Sequence, residues 1–180
     1  MNTEYEVRIL NIDVDKVIHT LESMGATKVG EYFQRRYVYD LIDGSSDRFV
    51  RIRDNGEVIT LTYKDKSIRT ISGTKELEFE ISDFDKANQL LNLIGFTNGH
   101  YVENKRITYK LENAEIDIDT YPNIPTYMEI EGINEETVKK YINELNLNDY
   151  EQTCDSLIKV YKRYGIDITN KEDLTFKESE

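Results

Sequence analysis

Charged and apolar residues alternate along most of this chain, and the alternation gives way to helical spacing at four places. Glu4, Glu6 and Arg8 interleave with Tyr5, Val7 and Ile9, the period of two that marks a strand with unlike faces. Val14, Val17, Ile18 and Leu21 then recur at helical spacing, with Asp13 as an N-cap and Gly25 just past the end. Strands are predicted next at about 31–41, 48–54 and 57–65. The turns between them are Asp43-Gly44-Ser45-Ser46 and Asp54-Asn55-Gly56, the second a strong hairpin signal. The same order then returns. A strand at 75–82 precedes a helix capped by Ser82 or Asp83, with Phe84, Ala87, Leu91 and Ile94 inward and Gly95 at its end. Strands at about 100–111, 114–120 and 126–132 follow. The chain therefore reads as two similar halves of one domain. Asn134 caps a third helix carrying Val138, Tyr141, Ile142 and Leu145. A fourth, near 155–164, carries Leu157, Val160, Tyr161 and Tyr164.

Length fits this picture, since 180 residues make one domain with a sizeable core. Residues 1–168 are expected to form it, with 169–180 as a polar tail. The formal charge of −12 should repel nucleic acid and anionic membranes, so neither is expected as a partner. It would also repel a polyphosphate unless basic groups gather where the ligand sits. No apolar run approaches the roughly 18 residues of a membrane span, and Met1 to Glu6 lacks the pattern of a secretory signal. A single cysteine, Cys154, agrees with a reducing, cytoplasmic setting. His19 and His100 are far apart in sequence and read as structural or surface residues. No Gly-x-x-x-x-Gly-Lys run occurs, so the chain is not a P-loop protein.

The strand faces carry the chemistry. Arg51 and Arg53 share a face, as do Thr60, Thr62 and Lys64. Glu76, Glu78 and Glu80 share another, and Asp117 with Asp119, Glu129 with Glu131, and Arg106 with Thr108 and Lys110 do the same. An antiparallel sheet with one solvated face also alternates. Solvated faces, however, usually mix their residue types, whereas here whole strands carry one sign. Like charges two residues apart repel along a face, and a ligand with its cations would offset that repulsion. A closed barrel with a polar lumen gives such faces a purpose. Carboxylates without His or Cys partners suit Mg²⁺ or Mn²⁺, and Arg and Lys pair with phosphate oxygens. The combination points to a polyphosphate or a nucleoside triphosphate.

The sequence resembles the CYTH superfamily, the triphosphate tunnel metalloenzymes, which includes thiamine triphosphatases, inorganic triphosphatases and class IV adenylate cyclases. The hallmark Glu-x-Glu-x-Lys strand is similar to Glu4-Tyr5-Glu6-Val7-Arg8. Phe49 to Arg53 resembles the family's paired-basic strand, Thr62-Tyr63-Lys64 its lysine strand and Lys75 to Ile81 its glutamate strand. Asp117-Ile118-Asp119 and Met128 to Gly132 resemble its last two lumen strands. Two positions depart from the pattern. Asn104 replaces a lysine, and Arg36 stands where the family often has an aspartate. The resemblance covers about residues 4–165. It implies an α+β fold: a closed eight-stranded antiparallel barrel with helices packed outside.

Together with the charge pattern, the resemblance implies a divalent-metal-dependent triphosphatase acting on inorganic, thiamine or nucleoside triphosphate. Arg8, Arg51, Arg53, Lys64 and Arg106 would hold phosphate, with Arg36 and Lys105 as further contacts. Either Lys105 or Arg106 faces the lumen. Glu4, Glu6, Glu78, Asp117, Asp119, Glu129 and Glu131 would bind Mg²⁺ or Mn²⁺, and Glu4, Glu6, Lys64 and Asp119 would be catalytic. The runner-up is a class IV adenylate cyclase making cyclic AMP and pyrophosphate from ATP, and a third reading is a non-catalytic polyphosphate-binding module. The partner is a small-molecule triphosphate, and the protein is expected as a monomer or homodimer.

Overall fold

The structure, a computed structural model, describes residues 1–41, 47–96, 99–169 and 173–177. The first half runs β1 (Asn2–Ile9), α1 (Val14–Ser23), β2 (Thr27–Asp40), β3 (Arg48–Asp54) and β4 (Ile59–Asp65). The second repeats that order as β5 (Thr74–Ile81), α2 (Phe84–Leu93), β6 (His100–Leu111), β7 (Ala114–Thr120) and β8 (Tyr127–Gly132). After it come α3 (Glu135–Glu144), the short β9 (Gln152–Thr153) and α4 (Leu157–Arg163). Asp13, Asp83 and Asn134 cap α1, α2 and α3 by accepting from the backbone N–H of Lys16, Lys86 and Thr137, each cap contributing about 1 kcal/mol. Gly25 and Gly95 follow α1 and α2 with φ of +80° and +109°, a backbone that side-chain-bearing residues rarely adopt.

The two halves are woven together. The strand ring runs β1, β8, β7, β6, β2, β3, β4, β5 and back to β1, with every pair antiparallel. Each half's first strand thus pairs with the other half's last strand, β1 with β8 and β5 with β4. Closure leaves no free edge in the ring, and β9 adds a short pairing to β1.

The outer faces bury most of the apolar residues of the alternation, while Leu77 and Phe79 of β5 stay exposed. Val7, Ile9, Ile116, Ile118, Met128 and Ile130 pack against Val17 and Leu21 of α1 and Val138, Tyr141 and Ile142 of α3. Tyr39 and Ile52 pack against Phe84 and Leu91 of α2. A third cluster joins Leu10, Val102, Tyr121 and Tyr127 to Val160 and Tyr161 of α4.

Three boundaries differ from expectation. β2 begins at Thr27, four residues early, because it follows β6 through an irregularity between Lys28 and Gly30. β4 begins at Ile59 because the Asn55 side chain accepts from the N–H groups of Glu57 and Val58 and holds them in the turn. The polar tail is docked where it is described. β7 pairs only as far as Thr120 opposite Lys105, which leaves an edge of β6 that the tail fills. Leu174 N–H donates to Tyr101 O at 2.9 Å and Glu103 N–H donates to Leu174 O at 2.8 Å. The turn at 43–46, and with it Gly44, lies outside the described residues, as do 170–172 and 178–180. Among the described residues no helix is long and apolar enough to cross a membrane.

Candidate functional site

With the apolar faces turned outward, the charged faces converge inside the ring. A cavity of about 280 Å³ runs through it, near the lower bound of the roughly 300–1,000 Å³ typical of small-molecule sites. Glu4, Glu6, Arg8, Arg36, Arg51, Arg53, Lys64, Glu78, Arg106, Asp117, Glu129 and Glu131 all line it. Register explains the gathering. Glu6 lies opposite Glu131, Arg8 opposite Glu129, and Asp117 opposite Glu129 from the other side. Across the ring Arg36 lies opposite Arg53 and Lys64 opposite Glu76.

The carboxylates outnumber the cations around Lys64. Its Nζ lies 2.7 Å from Glu4, 3.4 Å from Glu76 and 3.5 Å from Glu6. Three carboxylates raise the lysine's own pKa despite its burial. The reverse does not hold, because Glu4 has only a share of one ammonium. Burial therefore pushes Glu4 up to about 7, with Glu6 and Glu76 adding to the push and Lys64 opposing it. Glu6 goes the other way. Burial alone would raise it, but Lys64 and Lys66 hold it well below the usual range, Lys66 at 2.6 Å. Thr74 Oγ1 also donates to Glu6 at 2.7 Å. Burial and Arg8 in turn pull Lys66 down to about 8. Glu131 pairs with no cation among the described residues. Its pKa rises through partial burial and through Glu4, although its side chain reaches solvent at the tunnel mouth. Burial raises Asp117 to about 6 against the pull of Arg106.

The arginines are held by carboxylates of their own. Glu78 accepts from Arg51 at 3.1 Å and Arg53 at 3.2 Å, and from the hydroxyls of Thr60 and Thr62. Burial would raise Glu78, but Arg53 and Arg51 outweigh it and hold it at about 2. Arg106 donates to Asp117, to Asp119 and, at 2.9 Å, to Glu129. Arg8 reaches Glu129 at 2.5 Å.

Several expected residues take other places. Lys105 faces outward with its ammonium 5.1 Å from the Phe176 ring. Arg106, on the opposite parity of β6, is the one in the tunnel, so Lys105 is removed from the phosphate contacts. Asp119 is 0% exposed, and both its oxygens are committed to Arg106 and Asn104. It orients Arg106 rather than presenting a free ligand oxygen. Glu78 lines the cavity, but its oxygens are likewise taken up by arginines and threonines. His19 is exposed on α1, whereas His100 lines the tunnel wall.

Asn104 is 0% exposed. It accepts from Arg36 at 2.5 Å and donates to Asp119 at 2.9 Å. Arg36 also donates to Tyr121 Oη at 2.7 Å. Arg36 of β2 thus brings a positive charge against the buried Asn104 of β6. Lys66, Tyr121 and Ser156 line the cavity as well, and the strand-face pattern had not singled them out. Parity could have found the first two, since Lys66 continues Thr60, Thr62, Lys64 and Tyr121 continues Asp117, Asp119. Ser156 arrives from the α4 segment, which no strand pattern locates.

The donor set offered to a metal is all oxygen, which fits a hard cation such as Mg²⁺ or Mn²⁺. Glu4 and Glu131, both raised, are carboxylates short of positive charge. In this structure the other oxygens face lysine and arginine, and no described group of three carboxylates forms a ready cluster. Binding would therefore exchange ion pairs for coordination.

Comparison with known proteins agrees with this geometry. A family model described as CYTH domain matches residues 2–159. A Methanocaldococcus jannaschii protein, named as a candidate adenylate cyclase, is 28% identical over 171 residues, covering 93% of this chain and 92% of that one. A solved protein from Pyrococcus horikoshii OT3 superposes with a TM-score of 0.75 at 24% identity, covering 87% of this chain and 98% of its own. A Hippeastrum candidate adenylyl cyclase, described as revealing a dominant triphosphatase activity, gives 0.58 at 18% identity, with 91% and 96% covered.

Proposed function

We propose, for a chain that belongs to the CYTH domain family, that the tunnel hydrolyses the terminal phosphate of a triphosphate compound with the help of a divalent cation. One observation carries this reading. Within one cavity of the ring Arg36, Arg51, Arg53, Lys64 and Arg106 face Glu4, Glu6, Glu129 and Glu131. The first set matches a chain of phosphate oxygens, and the second matches a hard cation on that chain.

The chain's own residues perform three tasks. Arg51 and Arg53, held side by side by Glu78, and Arg106, held by Asp117 and Asp119, offer pre-oriented donors where phosphate charge develops. Glu4, Glu6, Glu129 and Glu131 offer ligand oxygens; a bound Mg²⁺ or Mn²⁺ would supply neutralisation of phosphate charge and activation of water. Lys64, between Glu4, Glu6 and Glu76, keeps these carboxylates together and offers its ammonium to the phosphate chain. Hydrolysis needs this grip and a water. Cyclisation would further require the ribose 3′-oxygen to sit within about 3–3.5 Å of the α-phosphorus, in line with the leaving pyrophosphate.

The deciding measurement is chromatography of the products from ATP with Mg²⁺ and with Mn²⁺, beside phosphate release from tripolyphosphate and thiamine triphosphate. ADP and phosphate are the expected products from ATP. Cyclic AMP with stoichiometric pyrophosphate and no ADP would turn the reading to the cyclase, the activity in the name of the Methanocaldococcus relative.

A further inference from the structure

At Glu6 the first strand has left β5 and is gripped by the connection that joins β4 to β5. The pairing of β1 with β5 ends at Glu4, opposite Thr74. Beyond it, Glu6 N–H donates to Ile71 O of the connection at 2.9 Å. The residues at the two ends of this connection, Lys66 just after β4 and Thr74 at the start of β5, both turn to the Glu6 side chain. Each is 3% exposed. The Lys66 backbone is fixed as well, its N–H donating to Asp47 O at 2.8 Å.

These contacts fall on one oxygen. Lys66 Nζ lies 2.6 Å from Glu6 Oε1, Thr74 Oγ1 donates to the same atom at 2.7 Å, and Lys64 Nζ approaches it at 3.5 Å. Among the described residues no hydrogen bond reaches Glu6 Oε2, and each ion pair of Glu6 has Oε1 as its nearest oxygen. The two lysines differ in what they serve. Lys64 is shared among Glu4, Glu6 and Glu76. Lys66 pairs, among the described residues, with Glu6 alone. When Lys64 turns its ammonium to a phosphate chain, Lys66 and Thr74 still hold Glu6.

We propose that Lys66 and Thr74 are positioning residues that clamp Oε1 of Glu6 and so leave Oε2 as the oxygen offered to the cation. The proposal rests on the reading of Glu6 as a cation ligand and adds what holds that ligand in place. A carboxylate fixed through one oxygen has less freedom to lose when the other binds, and hydrogen bonds behind a ligand commonly set its affinity.

The test is calorimetry of Mn²⁺ binding to the metal-free full chain, without substrate, in the parent, Thr74→Val, Thr74→Ser, Lys66→Met, Glu6→Gln and the Glu6→Gln, Thr74→Val double variant. Circular dichroism and melting curves check that each folds. Thr74→Val keeps shape and charge and removes one donor from Oε1. It should raise the Kd for Mn²⁺ by ~10-fold or more, the scale of losing such a support, and Thr74→Ser should restore the parent value. In the Glu6→Gln background the same change should act by less than ~2-fold, since the ligand it holds is gone. Lys66→Met separates a clamp from a counter-charge by sign. Removing a cation that merely balanced charge would tighten Mn²⁺ binding, whereas removing the clamp weakens it. An unmoved Kd in Thr74→Val, a tighter one in Lys66→Met, or a Thr74→Val effect that persists in full without Glu6 would each overturn the proposal; should one of the two variants fail to fold, the other decides. A parent that binds no Mn²⁺ refutes Glu6 as a cation ligand and the clamp with it. Phosphate release from tripolyphosphate keeps the readings apart. Turnover with an unmoved Kd refutes the clamp alone, and absent turnover with the expected Kd pattern supports the clamp and refutes the triphosphatase.

Discussion

Replacing Glu78 with glutamine separates two roles that its position allows. As a metal ligand it would be needed for turnover; as the residue that orients Arg51 and Arg53 it would be needed for stability. The structure favours the second, since Glu78 accepts from both arginines and from two threonines. Its pKa falls from 4.5 to about 2, where the two arginines outweigh the opposing effect of burial. At about 1.4 kcal/mol per pH unit that drop corresponds to roughly 3 kcal/mol. The side chain is 26% exposed, and solvent screening reduces the contribution to about 1–2 kcal/mol. Because the folded-state pKa is depressed, this stability is present above pH 4.5 and is lost as pH falls through about 2. Urea unfolding at pH 7 should therefore show Glu78→Gln less stable than the parent by about 1–2 kcal/mol, with the difference narrowing toward pH 3. Substrate should narrow it as well. In the variant Arg53 loses its carboxylate and Arg51 keeps only Glu76, at 3.8 Å, and a bound triphosphate restores the missing negative charge. KM should accordingly stay level or fall, and kcat should be retained within a few-fold. Equal stability at pH 7 would refute the reasoning. A folded variant that has lost its metal-dependent turnover would return Glu78 to the ligands.

Three further outcomes are expected. Chelation should abolish turnover, and Glu6→Gln should lower kcat by ~10²-fold or more, the scale of removing a key electrostatic group; an unchanged rate in a folded variant would remove Glu6 from the site. Because Glu4 titrates at about 7, Mn²⁺ binding at pH 7 should release protons, and calorimetry in buffers of different ionisation enthalpy should give different apparent heats; identical heats would contradict a role for Glu4 in holding the cation. Arg36→Asp should raise KM for triphosphate by ~10-fold or more, the scale of a charged contact, and adding Asn104→Lys should recover part of the loss by returning the cation to β6; a double variant no better than the single would mean that Arg36 does not replace the absent lysine.

Most of the barrel is legible in the alternation of charge along the sequence. Parity places Glu4, Glu6, Arg8, Arg51, Arg53, Lys64, Glu129 and Glu131 on inward faces, and all of them line the cavity. Parity also contains the choice between Lys105 and Arg106, since Arg106 shares its face with Thr108 and the buried Asn104. What it does not contain is which oxygen meets which cation. Asp117 and Asp119 look alike in sequence, yet Asp119 is closed off beneath Arg106 while Asp117 reaches the cavity. Asn104 on β6, which donates to Asp119, contributes to that difference. The docking of Leu174 beside β6 is equally hidden in the sequence. It follows from β7 ending opposite Lys105, and no local pattern in the tail announces a neighbour's open edge.

The exchange of first strands between halves sets the order in which the chain can become a ring. β1, residues 2–9, needs β8, residues 127–132, as its neighbour. No intermediate made from the first half alone can therefore close. As the chain emerges during synthesis, β1 and β4 wait with open edges until the second half supplies β8 and β5. Such long-range pairing folds slowly, and open edges are the surfaces on which unfinished chains associate. The same weave has a converse. Two separate copies of one half would meet the pairing rule by trading first strands with each other, so the connectivity of this single chain is that of a strand-exchanged pair joined end to end.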